Sequence, residues 1–333
     1  MARTLIITSG DQPAGVLARA YPHASVLPWR DILYEGPVPL TNEAATLNRI
    51  RAAYLSHTYP DAGRDPLGEL DGRDETLARL APGAHVELWL DHDLNDQLQL
   101  LQIMDGLARL SSPPASLDLV PPMRPDASSS PNDPAGHHPR RSSLGAPHMA
   151  LAQRAWDAVR QPTPVATAGL LDADLSLLPA LRPALARWLD ELPGLRNGLS
   201  LTERRTLRLL RTAGAATPSA LFAALQSREP APFLGDWSFF VMLDRLADLP
   251  APLIDGLHDG PFRPDLPLPH RQCYYASLLR LTVLGSEVVA GREDYLAHAA
   301  MERWWGGTHL TPSNVWRWDG RTSRLTPPTV KSA

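Results

Sequence analysis

The stretch DHDLNDQ (91–97) sets His92 beside Asp93 and places Asp96 and Gln97 shortly after them. Two other polar loops carry further acids. TSGDQPAG (8–15) holds Gly10 and Asp11, and PWRDILYEGPVP (28–39) holds Trp29, Arg30, Asp31 and Glu35. Carboxylates gathered with one imidazole form the oxygen-rich donor set that suits Mg²⁺ or Mn²⁺. On that reading Asp93 and Asp96 are metal ligands, His92 is a ligand or a base, and Asp11 or Asp31 completes the set. Such an ion activates water against a phosphoester. Without a metal, His92 paired with a carboxylate is a general base. His92, Asp93 and Asp96 are thus the catalytic candidates. Gly10, Asp11, Trp29, Arg30, Asp31, Glu35, Gln97 and Arg51, which lies on the following helix, are the ligand-binding candidates. A structural account competes with this one: Asp11 caps the first helix, Asp96 sits in a first helical turn where the dipole favours an anion, and Asp31 pairs with Arg30 or Arg51.

These loops need elements to position them, and residues 1–120 supply a strand–helix alternation. TLIIT (4–8), ASVLPW (24–29), HVELWL (85–90) and SLDLV (116–120) read as short buried strands. Helices are expected near 14–20, over 41–59 with Thr41 or Asn42 as cap, and over 95–110 with Asn95 as cap. That order predicts an α/β domain with a mainly parallel, Rossmann-like sheet. In such a sheet ligands bind beyond the carboxyl ends of the strands, where all three polar loops are expected. SGDQPAG lacks both the Walker pattern and the G-x-G-x-x-G spacing, so it gives no dinucleotide signature.

Residues 121–148 are rich in Pro, Ser and Gly and read as a disordered linker, in which His137 and His138 are incidental solvated residues. Beyond it, 149–333 reads as mostly α and winged-helix-like. Helices are expected at 148–161 and 178–192, then one capped by Thr202 and ended by Gly214, one started by Thr217-Pro218, and one from Asp236, followed by a hairpin and a closing helix in 274–291. The third of these last helices carries Asp236, Asp244 and Asp248 against Arg245, which would repel phosphate. DNA binding through it is therefore disfavoured, despite Arg204, Arg205, Arg208 and Arg211 on the helix two before it. Trp304, Trp305, Trp316 and Trp318 crowd the last segment, and burying indole to clamp that segment is the favoured use over base stacking.

Composition sets the outer limits. The 333 residues are 44% hydrophobic and 20% charged, with a formal net charge of −4, so no global field draws the chain to nucleic acid or an anionic membrane. The single cysteine, Cys273, excludes an intrachain disulfide and reads as a partly buried small hydrophobe. The opening MARTLIITSGD has too short an apolar run for a signal peptide, and no run of about 18 apolar residues occurs, so a cytoplasmic, non-membrane protein is expected.

Taken in order, SGDQPAGVL, LPWRDILYEGPVP, RAAYL and LWLDHDLNDQLQLLQ resemble the bacterial domain of unknown function 1835 family over residues 4 to about 120. The pairing of WRD-x-L-x-E-G-P with HD-x-x-DQ carries the likeness. GLSLTERRTLRLL, FLGDWSFF and RWWGGTHL resemble the region that accompanies that domain in some members. The resemblance implies Gly10, Asp11, Trp29, Arg30, Asp31, Glu35, Gly36, Pro37, Arg51, His92, Asp93, Asp96 and Gln97 as motif positions, and implies no reaction. The expectation is a two-domain protein: a small ligand or divalent ion at the strand-end loops, and a second domain for protein partners. A metal-dependent phosphoester hydrolase is the alternative.

Overall fold

The computed structural model describes residues 4–329 apart from 42, 62, 122–140, 249 and 264. Most of the expected linker, with His137 and His138, lies outside the described residues. The apolar run at the start forms β1 (Thr4–Ser9), and α1 (Asp11–Ala20) follows at once. This helix begins three residues earlier than its pattern suggests, because Pro13 fits a first turn, whose N–H groups have no intrahelical partner. Then come β2 (Ser25–Trp29), the short β3 (Gly36–Pro37), α2 (Ala44–Thr58), α3 (Pro66–Ala78), β4 (His85–Trp89), α4 (Leu94–Ala108) and β5 (Ser116–Val120). Helix α3 is an addition to the expected elements. Asp65 caps it by accepting from Gly68 N–H, and Pro66 starts it.

The sheet has the order β2-β1-β4-β5-β6, where β6 (Ser142–Ser143) adds antiparallel to β5. The other pairs are parallel, with Ile6 opposite Val26 and Glu87 in its two neighbours. A mixed α/β N-terminal sheet with helices on it is therefore present.

Cores divide the chain differently from the expected boundaries at 120 and 149. Helices α5 (Ala146–Val159), α6 (Val165–Leu170) and α7 (Leu181–Leu189) share one hydrophobic core with the sheet. Ala152 and Ala155 of α5 are fully buried. Small residues on that face let α5 lie close against α4. A second core unites α8 (Leu201–Ala213), α9 (Pro218–Gln226), α10 (Asp236–Ala247), the ribbon of β7 (Ile254–Asp255) and β8 (Arg280–Leu281), α11 (Leu268–Ala276) and α12 (Val283–Ala290). Gly214 ends α8 and Thr217-Pro218 starts α9 as expected, but Ser200 rather than Thr202 caps α8, in a reciprocal box with Glu203.

The last segment then returns to the first core as β9 (Arg303–Gly306), β10 (Thr308–Leu310), β11 (Arg317–Asp319) and β12 (Arg324–Thr326). Strand β9 runs parallel to β3, with Trp305 opposite Gly36. The indole of Trp305 donates to the Trp188 carbonyl at 2.9 Å, and that of Trp318 to Asp190 Oδ1 at 3.1 Å. Gly306 permits this closure: at φ +60 its backbone approaches Val159 so closely that a Cβ would stand 2.2 Å from the carbonyl oxygen. Among the described residues no helix is long and apolar enough to cross a membrane.

Candidate functional site

The strand-end acids do not converge into the expected pocket. Asp11 is the first residue of α1 rather than its cap, and pairs with Arg30 at 2.7 Å on the surface. That pairing holds its carboxyl below the usual range. Asp31 is buried against Arg51 at 2.8 Å. Asp93, not Asn95, caps α4 by accepting from Asp96 N–H, while Asp96 accepts from Asp91 N–H at 2.7 Å. Gln97 donates to the Asp91 carbonyl, and the His92 ring meets the Asp91 carboxylate. Gly10 donates its N–H to the Trp29 carbonyl, and Trp29 is buried with its indole N–H on Gln102. Among the described residues no three His, Cys, Asp or Glu side chains are placed to hold a metal ion. Of the expected Mg²⁺ or Mn²⁺ ligands, Asp93 and Asp96 accept backbone N–H groups at the start of their own helix. Burial, reinforced by the nearby Asp96 charge, pushes Asp93 up to about 7, and burial raises Asp96 as well.

Arg51 explains the costly loop 28–39. Its fully buried guanidinium donates to Asp31 from Nε and Nη2, to the Ile32 carbonyl at 2.7 Å, and to the Glu35 carbonyl at 2.7 Å. Gln99 adds a bond to the Asp31 carbonyl, and Arg73 lies 4.0 Å over the Trp29 ring. Gly36 completes the bend at φ +71, where a Cβ would stand 2.5 Å from the Tyr54 ring. A rigid WRD segment thus presents Tyr34 and Glu35 outward from the first core.

Both residues face a cleft of about 390 Å³ between the two cores. Tyr34 is joined at 2.9 Å to Ser238 of α10, which is joined at 2.9 Å to Tyr59 and donates to Glu35 Oε1 at 3.1 Å. A hydroxyl has one proton, so both tyrosines must donate to Ser238 while it donates to Glu35. Gly235 N–H in turn donates to the Tyr34 hydroxyl. Two phenols occupy the Ser238 lone pairs, which argues against Ser238 as a nucleophile. Burial pushes Glu35 up to about 7, against the opposing pull of the Ser238 bond and the charges of Arg245 and Arg51. Burial also raises both Tyr34 and Tyr54.

Of the expected ligand-binding and catalytic residues, Glu35 lines this cleft, as does the motif residue Gly36. Tyr34, Tyr54, Ser238, Arg245 and Arg303 line it without having been singled out for a site. Their signal is weak from sequence alone, since Ser238 sits in FLGDWSFF and Arg303 among the tryptophans, where each reads as part of a packing motif. Cys273 is exposed rather than partly buried, and its thiol is pushed up by a hydrogen bond to Asp259. Neither a family model nor a curated protein matches this chain.

Proposed function

We propose that the chain is a small-molecule-binding protein whose ligand occupies the cleft between the two cores, with Glu35 as the group that exchanges a proton with it. The carrying observation is a carboxyl near neutrality, aimed into a cavity of ligand size and steadied by a hydroxyl from the opposite core. Cavities at such junctions are common ligand sites, and a group poised near pH 7 exchanges protons readily.

Thermal-shift screening of the full chain against a metabolite library, at pH 6 and pH 8, tests this. A hit that stabilises the wild type should lose its effect in Val241→Trp, which fills the cleft from α10, and should change its pH dependence in Glu35→Gln. A library whose every hit is indifferent to both substitutions would refute the reading.

The same proposal treats residues 199–291 as a winged-helix-like unit. Three successive helices, a two-stranded ribbon and the Ala216–Leu279 bridge support that reading. Its third helix is already engaged: Trp237 packs edge-on against Tyr59 at 5.0 Å, and Ser238 bonds two tyrosines of the other core. This favours a unit used as a wall of the cleft over a DNA reader, since α10 would have to leave its partners to enter a groove. Membership of the domain of unknown function 1835 family belongs to the same proposal. Its motif residues Trp29, Asp31, Glu35, Gly36 and Arg51 share one structural task, the shaping of the loop that presents Glu35. A cytoplasmic location is likewise proposed, supported by the single cysteine. The metal-dependent hydrolase loses its support with its donor set.

A further inference from the structure

We propose that the cleft is built for an oxyanion: a small organic acid or phosphate ester whose charged group is held by Arg245 and Arg303. This rests on the reading of the cleft as a ligand site and names what that site takes. Arg245 comes from α10 and Arg303 from β9, and both line the cavity. They also line a neighbouring cavity of about 430 Å³, so the pair stands where two hollows meet.

Among the described residues, neither arginine forms an ion pair, and the Arg245 side chain makes no hydrogen bond. Arg303 donates from Nη2 to the Glu191 carbonyl, while its Nε is buried without an acceptor. A guanidinium carries five donors, and a donor withdrawn from water without an acceptor is costly. Burial weakens the hold of Arg303 on its proton; the charges of Glu203 and Glu191 oppose that, and the nearby Arg245 charge adds to it.

The acids that line the same cavity are engaged elsewhere. Glu191 is bound by Arg187 and Thr202. Glu203 accepts from Ser200 N–H in the cap of α8, and Glu302 pairs with His309. Glu35 accepts from Ser238. The cleft's spare hydrogen-bond donors are those of the two guanidinium forks, the geometry that carboxylates and phosphates fit with two parallel bonds. Around the forks, Phe233, Val241 and Trp304 offer an apolar wall for a carbon skeleton. Trp305 lies under the Arg303 guanidinium at 5.3 Å, which orients the fork.

Isothermal titration of the full chain with malonate, pyrophosphate and malonamide tests the proposal. The expected result is binding of malonate, of pyrophosphate or of both, no binding of uncharged malonamide, and weakening with added salt. Malonate alone indicates a carboxylate ligand, and pyrophosphate alone a phosphate ligand. Arg245→Gln, an exposed position that leaves the core untouched, should weaken binding about tenfold or more, and Arg303→Lys should weaken it less than that because it keeps the charge. Equal binding of malonate and malonamide, unchanged affinity in Arg245→Gln, or no binding of either oxyanion overturns the proposal. If uncharged library hits still depend on Val241 when the oxyanions fail, the ligand site stands and its anionic character falls. If no hit depends on Val241, both fall.

Discussion

Removing Arg51 should be the most damaging single change in the first core. Its side chain and that of Asp31 are both 0% exposed, and they meet at 2.8 Å. Replacing Arg51 by Met keeps the stem but leaves the Asp31 carboxylate buried, with Arg73 at 4.0 Å as the nearest remaining cation in an ion-pair geometry. Breaking a buried pair from one side costs about 3–5 kcal/mol, because an uncompensated charge stays behind. The carbonyls of Ile32 and Glu35 also lose donors at 2.7 Å, which argues for the upper half of that range. Asp31→Asn strands the buried Arg51 charge in turn and should cost about 3 kcal/mol, the lower end of that range, since Arg51 keeps its carbonyl partners. The double variant Arg51→Met with Asp31→Asn should be more stable than Arg51→Met alone by about 1 kcal/mol or more, because the stranded charge is gone. Urea unfolding followed by tryptophan fluorescence measures all three. A loss below about 1 kcal/mol in Arg51→Met, or a double variant no better than that single one, would refute the assignment of loop order to this pair.

Asp93→Asn keeps an acceptor at the cap and removes a charge. The folded carboxyl titrates near 7, above its ordinary value of 3.8, so its favourable contribution is complete below about pH 4 and is lost as the pH rises through 7. The variant should therefore come nearest the wild type at about pH 4 and exceed it increasingly in Tm up to about pH 8, and a pH-independent difference would contradict this. Gly36→Ala forces a left-handed residue and a Cβ against the Tyr54 ring, and should cost more than about 2 kcal/mol in chemical denaturation; a neutral result would mean the bend is not tight. Ser238→Ala leaves two buried phenols without their shared acceptor and Glu35 without a donor. It should lower stability by about 1–3 kcal/mol and raise the Glu35 pKa, both readable by titrating Tm against pH.

The parallel sheet was legible because its strands are short apolar runs, TLIIT, HVELWL and SLDLV, whose observed limits fall within a residue of the pattern. Helix α3 was not, because PLGELDGRDETLA is mostly polar and only Asp65-Pro66 marks its start. The disappearance of strand signals after the linker marks a change of element type. It does not reveal that α5, α6 and α7 cover the sheet rather than begin another core. The candidate site was half visible. The loop holding Glu35 stood out for its charged and bent residues, whereas its partner Ser238 is separated from Tyr34 by 204 positions and only the closed fold unites them. The acids at 91–96 misled for a related reason: sequence shows that carboxylates cluster, but not that neighbouring backbone N–H groups already occupy them.

The β3–β9 ladder also sets an order of assembly. Trp305 and Trp318 plug a core whose sheet precedes them in the chain, and Gly36 pairs with a strand partner far along the sequence, Trp305. While the ribosome is still producing the second core, the first one lacks its final wall and exposes Trp188 and the residues of β3. The first core is therefore closed by a non-local contact, the kind whose loop-closure cost comes before its reward, and truncation before residue 303 should expose the faces that β9 and Trp305 cover.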